Sequence, residues 1–402
     1  MTKTNAKSFE YACIFGGGAI RGMSYVGAAA AMEELGINPK TVAGSSVGAV
    51  FAGLLAVGYS ADELKDVFME INYELFKDIH FGFGKNFALS KGGIFLDWLK
   101  DLIEKKVYGD SYKKGENPPV KFSDIEKNLV IITTDLKNFR YKEFSKTETP
   151  DAEIAYAIRI SSTMPGLMNP VEEEDGSLLV DGDLQKSWPL WRLSKNLCPE
   201  NERVLEFRLE GDYEGKGRNP VNFMNTVYSC VTALATNFII DSYGHRDKFD
   251  YIKINTGSVV VVDFNLPKQE REELMQIGYA QTIQYFNHDL IEKKREIVKY
   301  YRDITKHISK IKKYILANKI RKAKEQLGCL YMDCSMSRKF IDLSYYEKIE
   351  NFKTSFLSNL NFAALFGVYS LKNPKSIKTQ ITTLEIEFEE KVMELESYIF
   401  KI

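Results

Sequence analysis

Cysteine and histidine are scarce in this chain, and neither sign of charge is in surplus. Five cysteines (Cys13, Cys198, Cys230, Cys329 and Cys334) stand among 402 residues, odd in number and without metal-ligand spacing. Only Cys329 and Cys334 are near neighbours, and no histidine lies beside them. That argues against a zinc site or a disulfide framework and for free, mostly buried thiols in a reducing compartment. The 54 basic residues meet 55 acidic ones, so bulk charge does not draw the chain to nucleic acid, although a local basic surface stays open. No secretory signal opens the sequence: Glu10 stands directly before the first apolar run, which breaks into glycines after Phe15. Residues 41–61 and 219–240 carry no charge at all, and each is long enough to raise the question of a membrane span. The first is broken by glycine and serine and the second by asparagine and threonine, so buried helices of a large α/β core account for both. No transmembrane span is expected.

What is present is ample apolar material, 44% of residues, in a chain long enough for two domains. Up to about residue 265 short apolar runs alternate with helical patterns. Strands are predicted at residues 11–15, 41–43, 129–134, 177–180, 204–209 and 251–254. Helices are predicted at 19–35, 47–57, from Ser60, at 95–107, at 151–160 opened by Pro150, and at 219–240. This alternation implies a mainly parallel sheet with helices on both faces. The composition then changes. Residues 291–327 hold 13 Lys/Arg against 4 Asp/Glu. Ile297, Tyr301, Ile304, Ile308, Ile311 and Ile315 form a heptad seam there. The last segment, 380–402, has a seam in Ile381, Leu384, Phe388, Val392, Leu395 and Ile399, with six Glu against two Lys. Antiparallel pairing of the two segments buries both seams; a membrane-surface or partner-binding role is the alternative. The expected organisation is therefore residues 8–265 as an α/β domain and 266–402 as a helical region.

Gly44-Ser45-Ser46-Val47-Gly48 fits the nucleophile-elbow pattern G-x-S-x-G between a strand and an apolar helix. Its flanking glycines permit a tight turn that projects the Ser46 hydroxyl at a helix N-terminus, where developing negative charge is favoured. Gly16-Gly17-Gly18-Ala19-Ile20-Arg21-Gly22 also lies between strand and helix, and its backbone N–H groups suit an anion. It fails the dinucleotide spacing because Arg21 holds the last glycine position, so an oxyanion hole beside Ser46 is the economical reading. The serine needs a base. Asp175-Gly176 resembles a hairpin turn, whereas Asp181-Gly182 follows the strand 177–180 and emerges at a strand end, which makes Asp181 the preferred base. A Ser-His-Asp triad through His245 stays open, since no short motif marks any of His80, His245, His288 and His307.

The glycine loop ending in Arg21-Gly22, the Gly44–Gly48 elbow, Ser161-Ser162-Thr163-Met164-Pro165 and Asp181-Gly182 stand in an order that resembles the patatin-like phospholipases. The likeness covers residues 8–265 and leaves the helical third outside. Asp183 departs from the pattern, standing where the family usually has glycine or alanine. The resemblance implies a three-layer α/β patatin-like domain; the C-terminal α-helical domain that follows it is expected from the two seams alone. It implies a serine lipid acyl hydrolase of phospholipase A or lysophospholipase type, without metal, cofactor or catalytic histidine. Ser46 would be the nucleophile and Asp181 the base, with an acyl-enzyme between the two half-reactions. Gly17 and Gly18 would supply the oxyanion hole; Gly16, Arg21, Gly22, Gly44, Gly48 and Gly182 would support the loops. Arg21 either steadies its loop or meets a lipid phosphate. A neutral-lipid or thioester hydrolase or an acyltransferase with the same dyad stays open, as does a catalytically silent binding module. The implied partners are a lipid or membrane-surface substrate and a protein activator docking on the C-terminal helices. The implied location is the cytoplasm, peripheral to membranes, with non-classical secretion as an effector beside it.

Overall fold

The computed structural model describes residues 11–71, 90–138, 140–165, 168–184, 203–211, 249–257, 259, 266–336, 341–363 and 368–399. These fall into two compact units that divide at Phe286. The predicted helix at 219–240 and the histidines His80 and His245 lie outside the described residues.

In the first unit β1 (Tyr11–Phe15) leads through the glycine loop and a 3-10 turn (Ala19–Met23) into α1 (Ser24–Glu34). β2 (Thr41–Gly44) feeds α2 (Val47–Ala56), followed by α3 (Ala61–Glu70) and α4 (Gly93–Tyr108). β3 (Asn128–Asp135) and β4 (Arg140–Ser145) form a hairpin, and α5 (Ile154–Ser161) precedes a second hairpin, β5 (Val171–Glu172) with β6 (Leu178–Asp181). β7 (Arg203–Glu210), β8 (Phe249–Asn255) and α6 (Lys268–Gln284) complete the unit.

The eight strands make one sheet in the order β5-β6-β3-β2-β1-β7-β8, with β4 beside β3. The run from β3 through β2, β1 and β7 to β8 is parallel. β4, β5 and β6 pair antiparallel, a corner the alternation of strands and helices did not foretell. β1 is buried at every residue because helices cover the sheet, which is why its sequence is continuously apolar rather than alternating. Phe15 stacks on Phe207 from β7 with centroids 5.1 Å apart, and Tyr25 of α1 meets Phe15 and Phe51 edge-on. Each such ring contributes about 1.5–3 kcal/mol by leaving water.

Two details of β3 matter for the site. Its residues Asn128–Ile131 pair with β2, and Thr133–Asp135 pair with β6. β4 pairs along Val130–Asp135, so it must hold the opposite edge. β2 and β6 therefore share one edge of β3, run toward each other, and end on either side of Ile132.

Three expectations shift in detail. The stretch 19–35 is a 3-10 turn followed by an α-helix, because Ala19 takes φ 48° after Gly18 at φ 157°. Pro150 does not open a helix. The carbonyls of Pro150 and Ala152 accept from Ser123 and Phe122, and the Ile154 N–H donates to Val120, so α5 starts only at Ile154. The compositional change near residue 266 precedes the structural division, because α6 packs on α1. A methyl group on Gly27 would lie 1.7 Å from the Met275 carbonyl oxygen, and one on Gly278 would lie 1.8 Å from that of Ser24. Ser60 caps α3 through a reciprocal bond with Glu63, as its sequence predicts.

The second unit is helical: α7 (Leu290–Leu316), α8 (Ile320–Met336), α9 (Leu343–Ser358), the hairpin β9 (Leu360–Ala363) with β10 (Val368–Leu371), and α10 (Pro374–Ile399). Ile297, Tyr301, Ile304, Ile308, Ile311 and Ile315 of α7 share one core with Ile381, Leu384 and Phe388 of α10, and Val392 and Leu395 pack at its edge. Arg302 pairs with Glu396, and Lys312 with Glu385, so the two helices run antiparallel. The Arg302–Glu396 pair is substantially exposed and adds little, so the buried seam carries most of this packing. Among the described residues no helix is long and apolar enough to cross a membrane.

Candidate active site

Ser46 sits between β2 and α2 as the N-cap residue of the helix, with φ 54° and ψ −131°. A side chain in this left-handed region is strained by about 1–3 kcal/mol, and such strain persists only where the surroundings impose it. They do so here. A methyl group on Gly44 would lie 2.2 Å from the Gly48 carbonyl oxygen, and one on Gly48 would lie 2.0 Å from that of Phe15. Both glycines are required by close backbone approach, and the turn between them leaves Ser46 no relaxed conformation.

The segment after α5 clamps this turn. The Ser46 N–H donates to the Ser161 carbonyl and to its hydroxyl oxygen, each at 3.1 Å, while the Ser161 hydroxyl donates to the Ile132 carbonyl at 2.6 Å. The Ser162 hydroxyl donates to the Ser46 carbonyl at 3.2 Å. One residue on, the Thr163 carbonyl accepts from the Asp181 N–H at 2.9 Å. One short segment thus ties the backbone of Ser46 to that of Asp181. Arg159 braces it from beneath, donating to the carbonyls of Lys91 and Asn169 and to the Thr163 hydroxyl. These roles of Ser161, Ser162 and Arg159 escaped the sequence reading, which had only the resemblance of the Ser161–Pro165 segment as a signal.

Asp181 ends β6, fully buried, and its Oδ1 accepts from the Asp183 N–H at 2.8 Å. Gly182 follows with its α-carbon against the elbow: a methyl group there would lie 2.1 Å from the Ile132 carbonyl oxygen and 3.1 Å from the Ser45 Cβ. Asp175, the other Asp-Gly candidate, sits instead in the β5–β6 turn, where its carboxylate accepts from the Ser177 N–H. The glycine loop closes the third side. Gly16 donates to the Phe207 carbonyl at 3.1 Å and accepts from the Tyr25 hydroxyl at 2.8 Å. Burial, with the charges of Asp183 and Glu206, holds that hydroxyl well above the ordinary tyrosine range, so it remains a donor. Gly17 lies beside Ser46, and its N–H donates to the Asp183 carboxylate at 3.1 Å. Gly22 packs on Val47, the residue after the nucleophile candidate. Arg21 is 4% exposed and donates to the Val259 carbonyl at 3.1 Å. Arg208 of β7 pairs with Glu206; burial disfavours its charge, but Glu206, Tyr251 and Asp183 outweigh it and raise its pKa.

The structure therefore gathers Gly17, Ser46 and the Asp181–Asp183 turn at one place. His288 and His307 lie on helices of the second unit. The described geometry is that of a serine at an elbow beside Gly17, whose N–H is held by the Asp183 carboxylate, with the end of β6 packed against the same turn.

The sequence profile described as Patatin-like phospholipase matches residues 13–191, which span the glycine loop, the elbow and Asp181. The chain belongs to the patatin-like phospholipase family. Membership makes it a hydrolase of lipid esters. Among similar proteins, the uncharacterized protein R571 of Acanthamoeba polyphaga mimivirus is 33% identical over 290 residues, 68% of this chain and 93% of that protein. Lysophospholipase NTE1 of Meyerozyma guilliermondii is 27% identical over 188 residues, 45% of this chain but only 12% of that protein. The crystal structure of VipD from Legionella pneumophila is similar in fold, with a TM-score of 0.53 and 16% identity over 86% of this chain and 88% of that one. The patatin-like architecture, a mainly parallel mixed sheet with helices, is thus accompanied here by a helical C-terminal region.

Proposed function

We propose that the chain cleaves the carboxylic esters of phospholipids, as a phospholipase A or lysophospholipase, through a Ser46–Asp181 dyad. The observation that carries this reading is the strained Ser46 at the β2–α2 elbow, toward which the strand ending in Asp181 runs. The Ser46 hydroxyl attacks the ester carbonyl carbon while Asp181 takes its proton. Backbone N–H groups of Gly17 and Gly18 hold the oxyanion, each donor contributing about 3–4 kcal/mol as in other oxyanion holes. The intermediate collapses, the C–O bond of the ester breaks, and the alcohol leaves with the proton from Asp181. Water, deprotonated by Asp181, then attacks the acyl-enzyme and releases the fatty acid and the free serine. The reaction so written uses no metal and no cofactor. Membership of the patatin-like phospholipase family and the likeness to lysophospholipase NTE1 support a phospholipid or lysophospholipid substrate. We assign this chemistry to the α/β unit and an accessory role to the helical unit.

The test is fatty-acid release from phospholipid vesicles by the purified chain and two variants. Ser46→Ala is expected to abolish release with the fold intact. Asp181→Asn keeps the volume and hydrogen-bonding reach but not the basicity, and is expected to be nearly as damaging. Wild-type turnover by either folded variant would remove that residue from the reaction.

A further inference from the structure

We propose that Asp183 is a built-in stopper of the anion-binding loop, a carboxylate that occupies the Gly17 N–H which the ester oxyanion needs. The proposal rests on the reading of Gly17 as an oxyanion donor. Asp183 follows the base candidate by two residues and is 6% exposed. Its Oδ2 accepts from the Gly17 N–H at 3.1 Å, and its Oδ1 accepts from the Ser45 hydroxyl. Its own N–H is fixed on Asp181. A methyl group on Gly17 would lie 2.2 Å from Asp183 Oδ2 and 2.9 Å from the Ser46 Cβ. The carboxylate and the serine therefore crowd the same side of the same glycine. Arg208, on β7, is a cation near enough to feel the Asp183 charge.

A backbone N–H makes one strong hydrogen bond, and here a carboxylate oxygen, a close chemical stand-in for an oxyanion, already holds it. An oxyanion forming at Ser46 meets both a spent donor and a like charge. The Asp183 side chain must leave Gly17 before the loop supports the tetrahedral intermediate, so the described conformation is a resting one. Only a rotation of this side chain away from Gly17 and Ser45 is required; the backbone bond to Asp181 can stay in place.

The experiment uses the full chain, p-nitrophenyl butyrate and a fluorophosphonate that labels reactive serines. Asp183→Ala removes the carboxylate and keeps the N–H bond to Asp181. It is expected to raise both kcat and the labelling rate by at least about tenfold, within what one oxyanion donor is worth in acyl-transfer sites. Asp183→Asn loses the charge, but its amide oxygen still accepts from Gly17, so its rise should be smaller. Ser45→Ala frees one side of the carboxylate and should raise the labelling rate as well, which keeps the idea testable if Asp183→Ala does not fold. Folded Asp183→Ala, or Ser45→Ala in its place, reacting no faster than wild type would overturn the stopper. Ser46→Ala in each background separates the two readings. Hydrolysis surviving without Ser46 sinks the dyad itself, whereas its loss beside an unaccelerated Asp183 variant sinks only the stopper.

Discussion

Replacing Ser46 by glycine should strengthen the fold while destroying the reaction, and comparison with alanine isolates the reason. At φ 54° and ψ −131° any residue with a Cβ is strained by about 1–3 kcal/mol. Alanine inherits that strain, because it keeps the Cβ and loses only the hydroxyl. Glycine escapes it, but gains freedom in the unfolded chain worth about 0.5–1 kcal/mol. The net expectation is that Ser46→Gly exceeds Ser46→Ala in stability by about 0–2.5 kcal/mol. Urea unfolding of the two variants reads the difference from their midpoints at equal slope. Vesicle hydrolysis run alongside should be absent in both. A glycine variant clearly less stable than the alanine variant would refute the claim that the elbow stores strain at Ser46. The surroundings make this a sharp comparison, since the Ser46 N–H and carbonyl are held by Ser161 and Ser162 whatever the side chain.

Gly27→Ala should destabilise the α/β unit by about 2 kcal/mol or more, because its methyl group meets the Met275 carbonyl oxygen at 1.7 Å and α1 must part from α6; thermal unfolding checks this. Glu385 is half-shielded by α7. Burial raises its pKa, but the bonds from Lys312 and Ser309 outweigh that and hold the carboxyl below its ordinary range. A depressed folded pKa contributes stability above the unfolded value, about 4.3, that is lost as pH falls through the folded one. Glu385→Gln should therefore be less stable than wild type at pH 7, with the gap closing at pH 4 and below in denaturant titrations. Burial pushes the Cys334 thiol up to about 11, whereas Cys329 is exposed, so iodoacetamide at neutral pH should alkylate Cys329 well before Cys334 or Cys13, as read by peptide mass.

Much of the fold was legible because its signals are local. The run at Tyr11–Phe15 is apolar throughout, as a doubly covered strand must be, and the Ser60–Glu63 capping box announces α3 by itself. The isoleucine seam of α7 and the seam of α10 pointed to each other by period and charge, and they share one core. The antiparallel corner was not legible, because β4, β5 and β6 are defined by pairing with β3 rather than by their own composition. Pro150 misled for the same reason: its preference for a first helical turn gave way to strand-like bonds with residues 120–123, which are remote in sequence.

For the site, the sequence by itself determined the residue types and their order. Glycines at positions 44 and 48 with Ser45 and Ser46 between them, and the Asp181-Gly182 pair, are covalent facts that supply the elbow pattern and a candidate base. The tertiary structure alone decided what touches what. Ile132 became the meeting point of β2 and β6 because two strands share one edge of β3, and no local pattern encodes a shared edge. Ser161 became a clamp, and Asp183 a ligand of Gly17 rather than an ordinary surface aspartate, because chain segments more than a hundred residues apart converge there. Hydrogen bonds act over about 3 Å, so they depend on final positions rather than on sequence spacing.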